Sequence, residues 1–525
     1  MNRGSVARLV SGIGVVAVVA AAMATVQALP APVPASRSPI VLTAAPPVTS
    51  VVCPGPVRLL AESGASAGPS YDPAFAPAPA GSSTSARGVM LAPSGGGVNG
   101  AAEWHRLGAG PGLPLAPTGA ESAVIADTKV GAALVLTGAP TGADPADLAA
   151  AVATTTPAGD LRGLAAASCA HPGTDLWLVG GSTELGSSAR LVMQNPGATA
   201  ATVTLEMWGA NGSLTIAGPR DFLVPPGTER AVLLEGLSAD QHAIAVHLRA
   251  SGGSIAGYLQ DGALRGYQAA GIDLVVAGAA PSIHQSVAGV ELHGPLVPGV
   301  PNVVRLLAPG AAGARASVTV LGPAGMVDLP GARQVELASG AVTDVTLDGL
   351  PDGAYTVLVD STAPVVAGAM VVRSGADPAG PIERAWVPAV AASPSGLIAL
   401  PPGPEARIVI GSASPSTPGS DQPTTATLRL VGADGGTLRT QQVTVPAGST
   451  VVLPGSELAG VGGLAGVELV ADPGSVLVLA AVLTAALPDG GAGISIIVPV
   501  PPVHRSGDVT VRDDPTTGLR AAVRD

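Results

Sequence analysis

The chain has 525 residues, 47% of them hydrophobic but only 2% aromatic, with 71 glycines, 51 prolines and a net charge of −12. This length exceeds one ordinary core and implies about three or four domains, with cores of Ala, Val and Leu rather than rings. There is a single lysine, Lys129, and no Lys/Arg cluster after the first ten residues, which excludes a nucleic-acid binder that works by displacing counterions.

Arg3 and Arg8 precede an uncharged run from Leu9 to Leu29, closed by Pro30-Ala31-Pro32. A cationic head on roughly 20 apolar residues marks a secretory signal or a membrane anchor, so residues 1–29 are read as that segment. Ala22-Met23-Ala24 and Val26-Gln27-Ala28 offer small-residue cleavage sites, and retention as a membrane helix is the alternative. Either outcome places the remainder outside the cytoplasm, touching the membrane only through this segment. Residues 30–49, rich in Pro, Ala and Ser without periodicity, read as an extended stalk.

Residues 50–172 read as an N-terminal β-rich region that does not match the rest of the chain. Val51-Val52 and Ala123 to Leu136 read as strands, and a Pro/Ala/Gly/Ser stretch from about Gly64 to Gly112 as a long loop. Asp144-Pro145 is expected to start a helix running through Leu148 and Val152 to Thr154. Cys53 and Cys169 are the only cysteines. They suit an oxidising compartment and one disulfide, worth about 4–5 kcal/mol in the chain-entropy picture; two free thiols are the alternative.

From residue 173 the chain repeats itself, in copies read as 173–285, 286–385 and 386–505. The first opens with Ala189-Arg190-Leu191-Val192-Met193 and continues through Val203-Thr204-Leu205-Glu206-Met207-Trp208. The second carries Val304-Arg305-Leu306-Leu307 and Val318-Thr319-Val320; the third, Arg407-Ile408-Val409-Ile410 and Leu428-Arg429-Leu430. Each closes on two strands around a turn: Ser251-Gly252-Gly253, Ala363-Pro364 and Asp472-Pro473-Gly474. Asn211-Gly212 and Asp434-Gly435 fall at equivalent hairpins, where positive φ is needed. Short period-2 strands between Gly/Pro turns predict an all-β fold of tandem Ig/fibronectin-III-like antiparallel β-sandwiches after the N-terminal membrane or signal helix. Residues 506–525 read as a charged C-terminal tail.

Gly159-Asp160-Leu161-Arg162-Gly163-Leu164 with Ala165 to Cys169, then Leu176-Trp177-Leu178-Val179-Gly180-Gly181, Leu191 to Gly197, and Cys53-Pro54-Gly55-Pro56 occur in an order that resembles an uncharacterised actinobacterial exported-protein family. That family is known only as a domain of unknown function. The resemblance implies a β-rich exported protein, often encoded beside a large membrane glycosyltransferase, and carries over no catalytic residues.

Motifs that could carry chemistry fail on their surroundings. Gly64-Ala65-Ser66-Ala67-Gly68 matches a nucleophile elbow but lacks the flanking strand and helix. Gly460 to Ala465 approximates a dinucleotide loop but lies between strands. His242 and His247 differ by an odd number and point to opposite faces of a strand, whereas Glu291 and His293 share one without further ligands nearby. Asp144/Asp147 and Asp513/Asp514 lack calcium-loop spacing. Of Trp104, Trp177, Trp208 and Trp386, Trp208 points away from Val203, Leu205 and Met207 and is the candidate surface contact; packing against the next domain is its other reading. The expectation is therefore a non-enzymatic exported envelope scaffold without metal or cofactor, meeting the membrane and envelope proteins or glycans. A glycan-binding module or carbohydrate-active enzyme and a surface adhesin are the alternatives.

Overall fold

The computed structural model describes residues 40–42, 46–59, 81–91, 102–110, 113–115, 122–140, 144–375, 380–414, 422–455, 463–503, 509–514 and 518–523. The run from Leu9 to Leu29, most of the stalk, Gly64–Gly68 and Gly460–Gly462 lie outside these residues. Among the described residues no helix is long and apolar enough to cross a membrane.

The chain divides into two compact parts, residues 1–46 with 505–525 and residues 47–504. In the first, Ile40–Leu42, Val509–Asp514 and Gly518–Val523 pair in that order as an antiparallel sheet, so the expected tail carries two strands.

The second part is all-β and antiparallel. Thr49–Cys53, Leu134–Gly138, Ala102–Arg106 and Leu113–Leu115 form one sheet. Ser122–Asp127, Ser83–Leu91, Asp147–Thr156 and Gly163–Ser168 form another. Counted along the chain, the strand orders are 1-6-3-4 and 5-2-7-8. The same two orders return three times.

In the second sheet pair, Asp175–Val179, Ala245–Ser251 and Ala201–Gly209 lead to Gly212–Ser213 and Asp221–Val224 at the edge. Its other sheet runs Thr228–Leu233, Ser187–Asn195, Ala256–Arg265, Gln268–Val276. The third pair places Ser282–Leu292 and Ala314–Gly322 on either side of the first half of Gly353–Ser374. Val342–Thr346, Val303–Leu307, the second half of Gly353–Ser374 and Ile382–Pro388 make its partner sheet. The fourth pair is Ser395–Ala399, Leu464–Ala471, Thr424–Gly432, Thr437–Val445, and Thr450–Pro454, Glu405–Ser412, Leu477–Ala486, Ala492–Ile497.

Each pair closes over a core drawn from both its sheets, such as Val203, Leu205 and Leu248 against Leu191, Met193 and Leu259 in the second. Gly212 and Gly435 take the positive φ expected at the hairpins, and Gly252 and Gly474 take it at the closing turns. Ala363-Pro364 does not turn the chain. Gly353–Ser374 runs through it as one extended strand that pairs with Ala314–Gly322 as far as Ser361 and with Ser282 at Val365, and meets the other sheet from Val366.

The expected helix from Asp144 to Thr154 is instead the strand Asp147–Thr156. Both of its faces are covered: Leu148, Ala150 and Val152 enter the core of the first pair, and Ala149, Ala151 and Ala153 pack against Leu397, Leu428 and Leu469 of the fourth. An Ala-rich run prefers a helix in isolation, but burial on two faces outweighs a propensity of tenths of a kcal/mol per residue.

The sheet pairs also stack on one another. Val192 and Tyr258 of the second join the core of the first. Trp177, Val179 and Ala245 of the second meet Leu307, Val342 and Val366 of the third. Val409, Val478 and Ala480 of the fourth enter the core of the third. With Val89 and Leu91 of the first packed into the fourth, the stack closes on itself.

Candidate functional site

The last strand of every pair lies at the centre of this cycle. Gly163–Ser168 packs against Gln268–Val276 and Ala492–Ile497, and Ile382–Pro388 packs against the same two. The approach is too close for side chains at some positions. A Cβ at Gly271, where φ is +96°, would fall 2.5 Å from the Arg384 backbone nitrogen, and one at Gly493 would fall 2.6 Å from Leu164 Cβ.

One carboxyl bridges all four strands. Asp273, 1% exposed, accepts from the Trp386 backbone N–H through Oδ2 at 2.7 Å. Its Oδ1 lies 2.7 Å from Ser495 Oγ and 3.4 Å from the Ala166 nitrogen. Ser495 Oγ in turn sits 3.2 Å from the Ala166 carbonyl. Burial pushes Asp273 up to about 8, against the opposing pull of these hydrogen bonds. Ser495 donates its O–H to Asp273 Oδ1 and accepts from the Ala166 N–H at 3.0 Å, which ties the carboxyl to the first of these strands.

Beside it, Arg162 just before the first of these strands spans two other sheet pairs. Its guanidinium donates to buried Glu383 through Nη1 and to Asp489 through Nε and Nη2. Burial pushes Glu383 up to about 8, partly countered by Arg162 and by the Leu164 N–H. The Arg162 hydrogen bond holds Asp489 below its ordinary value.

A third cluster joins the second and third pairs. Asp261 Oδ2 accepts from Trp386 Nε1 at 2.8 Å and lies 3.1 Å from Arg384 Nη2, close enough for charge pairing but not aligned as a hydrogen bond. Arg305 grips Asp344 with two bonds, donates to the Gly181 carbonyl at 2.7 Å and stacks 4.9 Å above the Trp386 ring.

Two cavities open at the ends of these strands, each bordered by three of the four. Where they begin, Arg162, His293, Arg373, Glu383 and Gly490 line about 340 Å³. Where they end, the connecting segments Ala277–Ala280, Ala389–Pro394 and Val498–Pro502 line an apolar hollow of about 470 Å³.

The structure places the sequence candidates elsewhere. Cys53 and Cys169 are bonded, tying the first strand of the first pair to the end of its last. Trp208 faces away from Val203, Leu205 and Met207, half-buried; it stacks 5.3 Å from Trp177, with Gly340 of the third pair against its indole. His247 is buried beside Trp177 and bonded to Glu206, whereas His242 is exposed. Glu291 pairs with Arg407, and His293 lies near Asp352. Trp104 and Trp386 are core residues. Among the described residues no three His, Cys, Asp or Glu gather as metal ligands.

The central polar residues escaped the sequence reading, although a signal was present. Asp273 stands between Ile272 and Leu274-Val275-Val276, and Glu383-Arg384 between Ile382 and Ala385-Trp386-Val387. A charge inside an apolar strand survives only if it is paired or neutralised.

Residues 124–456 match a protein family described as a family of unknown function (DUF5719). No curated protein and no solved structure matches the chain significantly.

Proposed function

The chain belongs to that family of unknown function, and on this premise we propose that it is a non-enzymatic, exported cell-envelope scaffold. Its sheet pairs are read as tandem Ig/fibronectin-III-like sandwiches, held away from the membrane by the N-terminal segment and its Pro/Ala stalk. The observation that carries this reading is the use made of the buried ionisable groups. Asp273, Arg162, Glu383 and Asp261 each bridge different sheet pairs, which is work of assembly rather than of substrate turnover. Export is supported by the cationic, apolar N-terminus and by the Cys53–Cys169 disulfide, a bond characteristic of oxidising compartments.

A glycan-binding or adhesive surface, serving envelope glycan assembly, is the rival. Carbohydrate sites present aromatic faces to solvent, whereas Trp208 is stacked on Trp177 against the next sheet pair, which favours the scaffold. The test uses protein recovered from the envelope fraction, applied to a glycan array and to envelope polysaccharides. The scaffold reading expects neither released sugars nor saturable binding that Trp208→Ala abolishes. Either result would replace it with the rival.

A further inference from the structure

The cavity at the start of the central strands contains one cationic group whose hydrogen-bonding capacity is unspent. Arg162 uses its guanidinium on Glu383 and Asp489. Both oxygens of Glu383 are engaged, one by Arg162 and one by the Leu164 N–H. Arg373 differs. Its side chain is 15% exposed, and the nearest carboxylate, Glu291, lies 3.9 Å away with both oxygens already held by Arg407. Its Nη1 is buried without any hydrogen-bond partner. An unmatched donor on a charged group costs more than one on a neutral group, and such a group calls for a partner. His293, paired in register with Arg373 across an isolated bridge, and Ser374 line the same space.

We propose that this cavity binds a small oxyanion ligand, a carboxylate or phosphate group on a body no larger than a monosaccharide, with Arg373 as the anchoring residue. Guanidinium geometry matches two acceptor oxygens in one plane, and about 340 Å³ sits at the small end of ligand pockets. The lining comes from three sheet pairs, through Arg162, through His293 and Arg373, and through Gly490 and Gly491, so an occupant would tie them together. This inference is independent of the scaffold reading.

Calorimetric titration of the whole chain with inorganic phosphate and with glucuronate, and with glucose as neutral control, tests it. Saturable binding of at least one oxyanion is expected, with Kd on the order of 1 mM and no response to glucose. Which oxyanion binds more tightly identifies the headgroup. Arg373→Gln is expected to weaken binding roughly tenfold or more, the loss of a charged hydrogen bond, and Arg373→Lys to retain part of it. Melting curves without ligand establish that these variants fold. His293→Ala, at a side chain 55% exposed, keeps the question answerable if they do not, with an expected weakening of roughly threefold. Absence of oxyanion binding, equal binding of glucose, or full affinity in folded Arg373→Gln or in His293→Ala would each overturn the proposal.

Discussion

Asp273 shows how much one side chain can be asked to hold. A carboxyl whose folded-state pKa lies above its unfolded value binds its proton more tightly when folded. That contribution to stability is complete below the unfolded value of 3.8 and declines as the pH rises to about 8. Asp273→Asn keeps one acceptor for Trp386 but cannot ionise. Denaturant melts between pH 4 and 9 should show wild type losing stability relative to this variant as the pH rises; parallel curves would refute the assignment. Asp273→Leu, which leaves the buried Trp386 N–H unmatched, should cost about 2–4 kcal/mol at every pH. The cysteine pair and the placing of Trp208 on the strand face opposite Val203, Leu205 and Met207 were legible in the sequence, because redox chemistry and strand alternation are local rules; the packing of that face on Trp177 and the third sheet pair was not. Asp273, Arg162 and Glu383 were not, because their partners lie in other sheet pairs, more than a hundred residues away in chain order for Asp273–Trp386 and Arg162–Glu383.

At the scale of elements, the central strands are selected for thinness as much as for hydrophobicity. Gly493 faces Leu164 with no room for a methyl group. Gly493→Ala should therefore destabilise by about 1–3 kcal/mol, the usual cost of overpacking. Gly110→Ala, where a Cβ meets nothing within 4 Å, should stay within about 0.5 kcal/mol of wild type. Equal melting temperatures for the two would remove the close-packing argument. The same logic explains the Asp147–Thr156 strand. Its alanines read as helical because sequence periodicity reports one buried face, whereas this segment is buried on two, by its own sheet pair and by the fourth. The hairpins at Gly212 and Gly435 were foreseeable since a positive φ is a demand made within a few residues. The uninterrupted Gly353–Ser374 strand was not, as an extended crossing between two sheets leaves no turn residue to mark it.

At the scale of the molecule, the sequence suggested three repeats strung in tandem after an unrelated region. The structure instead gives residues 49–168 the same strand order as the three recognised copies, although their residues do not match those copies. Repetition in strand order outlasts repetition in sequence because pairing depends on backbone and burial, not on particular side chains. Closure follows from the same principle. Every sheet pair lends one face to its neighbour, and the first and fourth share a core through Val89, Ala151, Leu397 and Leu469. Beads on a string would unfold one at a time; a closed cycle with a shared polar centre should not. Scanning calorimetry of the intact chain is the most direct test. Residues 47–504 are expected to melt in one transition whose calorimetric and van't Hoff enthalpies agree. Separate transitions, each carrying roughly a quarter of the total enthalpy as expected for independent domains, would contradict it.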